Sequence, residues 1–468
     1  MSEKERTIGY LPDERPPFGK LLLYAIQQII VMFPATVTVA LITNFHISTT
    51  IFASGLATIC FLFITGRKIP LYYGSSFSYL SAILGIMAAK AAEGADLNTQ
   101  ISYAQFGIIM SGIVSIVAGL LVNLAGRNVI EKILPPTITG PIAMVIGLTL
   151  ASNALNDAAS IAIDSAGTLA VAESEVAAAS NYAWICSFVT LISTIILSVY
   201  LKGFWGQLPL LFGPIIGCLV ALVIYLITGV SLFRVLPSTA NSGIFALPEF
   251  TLPKPSWEAV AAIMPIAIAT IPESSAHIYQ LDIYVNKLAK DKKSNKTYNI
   301  ADLLGRNLIG DGLGDMISAA VGGPAGTNYG ENISAMAITR VFSVPVLMVA
   351  SILAMVISCF TPLINAIYAI PTSVIGGLEI FLFGAIAAQG IAIMIDKKSD
   401  MFDPKNIAVI ATIMIIGIGG NYGFPNGTIP FFGVDVPCIA GAAIFGIVLN
   451  LLLSIGEKKK ENKETAQD

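Results

Sequence analysis

The side chains best able to do chemistry in this 468-residue chain are ionisable groups set inside long apolar stretches: Glu273, His277, Asp302, Arg306, Asp311, Asp315, Glu331 and Glu379. Holding such a group in a hydrocarbon environment costs at least ~2.5 kcal/mol, so each calls for a role. Glu273 and His277 stand four residues apart, which on a helix places them on one face, one turn from each other. Pro272, just before the pair, weakens the local helix hydrogen bonding. A carboxyl group beside an imidazole can take up and release a proton near neutral pH; the alternative is a structural Glu–His hydrogen bond. Glu331 follows Gly330, where the missing side chain lets backbone approach a ligand and the carboxylate adds an acceptor. Asn332 is a helix cap or a second polar contact.

The remaining groups read differently. Asp302 and Arg306, also four apart, suit an intramembrane ion pair. Asp311 and Asp315 lie in Gly310-Asp311-Gly312-Leu313-Gly314-Asp315, either as an ion site or bonded to neighbouring backbone at a helix break. Glu379 gates or stabilises. Two carboxylates near Gly330, no basic cluster and an aromatic ring at Phe77 describe a neutral, planar ligand rich in N–H donors. Carboxylates accept from ring N–H groups, backbone N–H groups donate to ring carbonyls, and Phe77 packs on the ring face. A nucleobase meets that description and an inorganic anion does not. An enzyme is not indicated, because the sequence carries no paired nucleophile and base, no phosphate loop and no metal cluster. Cys60, Cys186, Cys218, Cys359 and Cys438 all fall in apolar segments and form no metal-ligand pattern.

The elements that must position these residues are membrane spans. Of the residues, 55% are hydrophobic and 12% charged, against about 25% charged in a soluble domain. Fourteen segments approach the roughly 20 apolar residues that a bilayer requires: 19–43, 50–66, 69–90, 103–125, 134–154, 183–201, 207–228, 257–278, 299–322, 325–339, 341–361, 372–395, 406–421 and 436–455. With the N-terminus in the cytoplasm, 22 of the 26 lysines and arginines fall on the cytoplasmic side, which supports this count with both termini inside. Lys90, Arg234 and Lys254 fall outside, and the segment 155–182 contains neither Lys nor Arg, as suits an external loop.

The chain also repeats itself. Tyr73-Gly74-Ser75-Ser76-Phe77-Ser78 is similar to Tyr329-Gly330-Glu331-Asn332-Ile333-Ser334, and Leu134-Pro135-Pro136-Thr137-Ile138-Thr139-Gly140 to Ile370-Pro371-Thr372-Ser373-Val374-Ile375-Gly376. Each pair is seven spans apart, an odd number, so the second copy is inverted. Inverted repeats with broken helices at matching positions place a substrate near the midplane of a secondary transporter.

At these residues the chain resembles the nucleobase–ascorbate transporter family, also called nucleobase:cation symporter 2, and within it the bacterial uracil permeases. Gly330-Glu331-Asn332-Ile333-Ser334-Ala335-Met336-Ala337-Ile338-Thr339-Arg340 is similar to the family signature, with Ser334 where Gly is usual. Gly74-Ser75-Ser76-Phe77, Glu273 with His277, and Gly310-Asp311-Gly312-Leu313 support it. Gln28 stands where the uracil permeases often carry His.

The resemblance implies an all-α polytopic membrane protein of fourteen spans in two inverted seven-span repeats, with short strands in spans 3 and 10. Core spans 1–4 and gate span 5 would occupy 19–154, gate spans 6–7 residues 183–228, core spans 8–11 residues 257–361, and gate spans 12–14 residues 362–455. The flanking segments are tails at 1–18 and 456–468 and external loops at 155–182 and 229–256. It further implies a homodimer joined through the gate domain in the bacterial inner membrane. Uracil or a similar nucleobase would enter by proton symport as core moves against gate, the alternatives being a purine or xanthine permease on this scaffold or an anion transporter of the related inverted-repeat fold. Glu273, Glu331, Gly330, Phe77 and Ser76 would bind substrate, and His277, Glu273 and Glu331 would couple protons. Gln28, Asn332 and Asp311 are further polar candidates. No cofactor, metal or nucleic acid is implied, and the proton is favoured over sodium as the coupling ion.

Overall fold

The computed structural model describes residues 9–126, 134–161, 175–236, 243–431 and 434–464. Lys4, Arg6, Arg127 and Lys132 of the basic count, much of segment 155–182 and the outer ends of both tails lie outside the described residues.

The first half of the bundle runs α1 (Phe18–Thr43), α2 (Ile47–Ile64), strand β1 (Tyr73–Ser75), α3 (Leu80–Ala92), α4 (Leu97–Ala125), α5 (Pro136–Thr149), α6 (Ala151–Ala158), α7 (Val176–Tyr200) and α8 (Pro209–Thr228). The second half runs α9 (Trp257–Ile263), α10 (Ala267–Asp291), α11 (Leu304–Ala320), strand β2 (Gly326–Asn328), α12 (Gly330–Thr339), α13 (Val344–Ile357), α14 (Thr361–Tyr368) and α15 (Thr372–Asp396). It ends with α16 (Pro404–Met414), a π turn into α17 (Gly420–Gly423), the hairpin β3 (Thr428–Phe431) and β4 (Val434–Pro437), and α18 (Cys438–Glu464).

Among the described residues, ten helices are long and apolar enough to cross a membrane, and two shorter apolar helices, Phe77–Ala92 and Val344–Ile357, accompany them. Their outward faces stay apolar: Ile192, Ile195 and Ile196 on α7 and Leu219, Leu222 and Leu226 on α8 are all exposed. Lipid, not water, is the solvent that such a surface fits, and helices satisfy their own backbone there. The boundaries shift from the sequence estimate where hydropathy and helix part company. The helix of span eight continues to Asp291, well past residue 278, and its last turns bury Leu281, Val285, Leu288 and Ala289 in the core. Asp302 and Arg306 are exposed at the start of the span-nine helix and do not lie in the buried interior.

Close backbone packing locks two helix pairs. A Cβ on Gly312 of α11 would lie 2.2 Å from the Gly112 carbonyl oxygen of α4. Between α5 and α15, a Cβ on Gly140 would lie 2.7 Å from the Gly390 carbonyl oxygen, and one on Gly390 would lie 2.4 Å from that of Gly140. Small residues at such crossings let helices approach without a hydrophobic driving force between them.

At the deepest point the chain abandons helix twice. Pro70 precedes β1, and Gly322-Gly323-Pro324 precedes β2, with Gly322 at a φ of 101° that side-chain-bearing residues avoid. The two three-residue strands pair antiparallel, Tyr73 opposite Asn328, Gly74 opposite Thr327 and Ser75 opposite Gly326. Each strand feeds a helix, so two helix N-termini start close together inside the bundle.

One end of the bundle is basic and tied to the N-terminal segment. Lys292 Nζ lies 2.6 Å from Glu14 Oε2, Lys296 pairs with Asp13, and Arg340 Nη2 lies 2.5 Å from Asp291 Oδ2. The hydrogen bond from Lys296 holds the Asp13 carboxyl below the usual carboxylate range, with a further contribution from Tyr298.

Candidate functional site

The strand pair is held from below by two carboxylates of α11. Asp315 Oδ1 accepts from Tyr73 Oη of β1 at 2.6 Å and from Gly326 N of β2 at 2.7 Å. Asp311 accepts from Asn328 Nδ2 of β2 at 2.7 Å and from the Ser274 hydroxyl of α10. Asn307 Nδ2 donates to Ser274 Oγ at 2.7 Å and closes the network. Every carboxylate here meets protein donors, so the pair clamps both strands to α10 and α11. That arrangement follows the bonding-to-neighbours alternative for Asp311 and Asp315, although their partners come from four elements and not from one helix break. Fixing Ser274 also fixes the turn of α10 that carries Glu273.

Above the strands lies a cavity of about 370 Å³. Glu273 and His277 from α10, Gly330 and Glu331 from the start of α12, and Phe77 beyond β1 all line it. Backbone N–H groups at the first turn of a helix have no intrahelical partner, and the helix dipole favours electronegative atoms there. The first turn of α12 therefore presents donors beside two carboxyl groups. Gly330 leaves room for the imidazole: a Cβ there would stand 2.9 Å from His277 Nε2, and the ring would have to shift. The other ring nitrogen of His277, Nδ1, is buried without a hydrogen-bond partner among the described residues.

Three of the four other candidates serve the walls of the cavity. The Ser76 hydroxyl is buried and accepts from Ser78 N, so it caps the short helical turn carrying Phe77. Asn332 Nδ2 donates to Gln28 Oε1 at 2.8 Å and to the Gln28 carbonyl at 3.0 Å, tying α12 to α1. Asp311 belongs to the strand clamp. Tyr329 adds a further tie, its hydroxyl 2.9 Å from both Thr36 Oγ1 and the Ser75 carbonyl.

Sequence reasoning missed the opposite wall. Thr139 of α5 and Gln389 of α15 line the cavity facing the strands. Thr139 sits inside the second repeated motif, a signal that marked the repeat without marking the side chain. Among the described residues no Lys or Arg lines the cavity. Among the described residues no group of three or more His, Cys, Asp or Glu is placed to hold a metal ion.

Residues 19–425 match a family model described as "Permease family". The chain is 34% identical over 455 residues to the uracil permease of Bacillus caldolyticus, covering 96% of this chain and 95% of that protein. It is 32% identical over 473 residues to the uracil permease of Bacillus subtilis, covering 100% and 99% respectively. Two solved structures share the fold. The transmembrane domain of the cyanobacterium bicarbonate transporter BicA is 13% identical with a TM-score of 0.57, covering 88% of this chain and 98% of that one. The murine anion transporter Slc26a9 in an inward-facing state is 10% identical with a TM-score of 0.64, covering 95% and 69%. At those identities the likeness concerns the fold alone.

Proposed function

The chain belongs to this permease family, related to bacterial uracil permeases, and on that premise we propose that it imports uracil or a closely similar pyrimidine by proton symport. The observation that carries the reading is the convergence of Glu273, Glu331, Phe77 and the first turn of α12 on one cavity. A planar ring fits between Phe77 and the helix start, its N–H groups donating to the two carboxyl groups and its carbonyl oxygens accepting from backbone N–H groups. The fold neighbours are anion transporters, but a cavity lined by two glutamates and, among the described residues, by no Lys or Arg disfavours an anion.

Thermal unfolding of the purified protein tests the substrate, because a ligand that binds only the folded state raises its melting temperature. Uracil is expected to raise it, and xanthine to do so less or not at all. Glu331→Gln is expected to weaken uracil binding at least tenfold, about 1.4 kcal/mol. A shift produced by xanthine alone would assign the cavity to purines.

We infer fourteen spans in two inverted repeats, with the strand-then-helix units β1–α3 and β2–α12 as corresponding halves. Both termini and Lys287–Lys296 then face the cytoplasm. Accessibility of single cysteines to a membrane-impermeant reagent measures this directly, and labelling of either terminus from outside would refute it. The first repeat's spans 1–4 and the second's spans 8–11 form the moving core in this reading, and the exposed apolar faces of α7 and α8 supply a homodimer surface. In-membrane crosslinking that yields only monomer would remove the dimer.

A further inference from the structure

A second cavity, of about 540 Å³, lies at the end of the bundle opposite the N-terminal segment. Helix α1 runs about 39 Å at 1.5 Å per residue. It starts beside that segment and ends at Asn44, which lines this cavity. Asn153, Asn156 and Asp157 of α6 and Glu379 of α15 line it from the other side, with Arg234 at its edge.

Glu379 is fully buried, and neither of its carboxyl oxygens accepts a hydrogen bond from a donor group among the described residues. The polar group it meets is the carboxyl of Asp157. Helix packing enforces the meeting. Gly376 lies one turn before Glu379, and a Cβ there would stand 2.1 Å from Ala158 N and 2.5 Å from the Asp157 carbonyl carbon. The end of α6 thus occupies the space of a side chain on α15. The Asp157 carboxyl and the Tyr368 phenol of α14 both lie near the Arg234 guanidinium. Among the described residues, Asp157, Glu379 and Arg234 are the charged side chains lining the cavity. Helix α7, which also packs on α15, brings Tyr182 and Cys186 against Val374, more than a turn from Glu379. Neither α5 nor the stretch of α1 over 37–43 carries an ionisable residue.

We propose that Asp157 and Glu379 form a second proton-binding site, separate from the Glu273 cavity, that holds one proton between the two carboxyl groups. An ionised carboxylate only accepts hydrogen bonds, so two facing carboxyl groups bond to each other only with a proton between them. Arg234 matches the single negative charge that remains. Release of the proton sets two negative charges against one guanidinium in a tight seam, and like charges in contact repel. The end of α6 then separates from α15, and the cavity widens. The seam is closed when protonated and opens as pH rises. Proton binding here does not depend on what the Glu273 cavity carries.

The test uses the full chain in lipid without substrate. Infrared difference spectra across an alkaline titration are expected to show a protonated-carboxyl C=O component that disappears as pH rises. Glu379→Gln and Asp157→Asn should each abolish that whole component, since either removes the shared proton, while Glu273→Gln should retain it. Survival of the component in both variants, or loss of only part of it in each, overturns the proposal. A second reading needs neither carboxyl variant. Labelling of Ile42→Cys, a buried position lining this cavity, measured relative to a fully exposed reference cysteine, should accelerate several-fold at alkaline pH. A rate that does not change with pH overturns the proposal independently.

Discussion

Glu273→Gln is expected to weaken equilibrium uracil binding roughly a hundredfold, about 2.8 kcal/mol, and to remove proton-driven accumulation as well. The size follows from what the side chain loses. Hydrogen bonds to charged groups contribute about 1.5–3 kcal/mol, above the neutral average. Glutamine keeps the shape of glutamate, yet it places an N–H where a ring N–H must donate, so one contact turns repulsive. It also cannot bind a proton, and the two losses therefore come together. Isothermal titration and gradient-driven uptake on the same preparation measure both. Ser274, the next residue, stays anchored through Asp311 and Asn307, so α10 should hold its place in the variant. Unchanged binding in Glu273→Gln would move the substrate away from α10.

His277→Ala should separate the two properties that Glu273→Gln removes together. Its Nδ1 has no hydrogen-bond partner among the described residues, and its Nε2 lies over Gly330 beside the start of α12. From that position the imidazole touches the backbone that would hold a ring carbonyl, without needing to touch the ring. Substrate and proton must shift each other's affinity by one common factor, commonly 5- to 150-fold in coupled systems. Loss of the coupling group should lower accumulation by about tenfold or more on that scale, with the dissociation constant changing less than about threefold at fixed pH. Equal losses in binding and accumulation would make His277 a substrate contact only.

The lining residues from α10 and α12 were legible because ionisable groups in apolar spans are rare enough to need a reason. Phe77 and Gly330 were legible through the repeat that surrounds them. The strands themselves are three residues long, too short for a period of two to register, and only Pro70 and Gly322-Gly323-Pro324 betrayed them. Asp311 and Asp315 stood out in the sequence, but their work depends on Tyr73, Ser274, Asn307 and Asn328, partners that only tertiary structure brings near. Thr139 and Gln389 were missed because a single polar residue in a span carries no cost large enough to draw notice. Asp302 and Arg306 sit at the start of the span-nine helix, which begins only at Leu304, and both are exposed there. Glu379 was visible and stayed unassigned because its counterpart, Asp157, sits at the end of a short helix in a stretch the sequence gives no reason to connect with it.

Proton-coupled movement of a pyrimidine through the Glu273 cavity is the central claim, and uptake into proteoliposomes tests it most directly. Vesicles holding the parent protein receive labelled uracil under an imposed inward proton gradient, or under an inward sodium gradient at equal pH on both sides. The account predicts accumulation above equilibrium with the proton gradient, collapse when a protonophore is added, and only equilibration with the sodium gradient. Accumulation that follows sodium and ignores the proton gradient would contradict it.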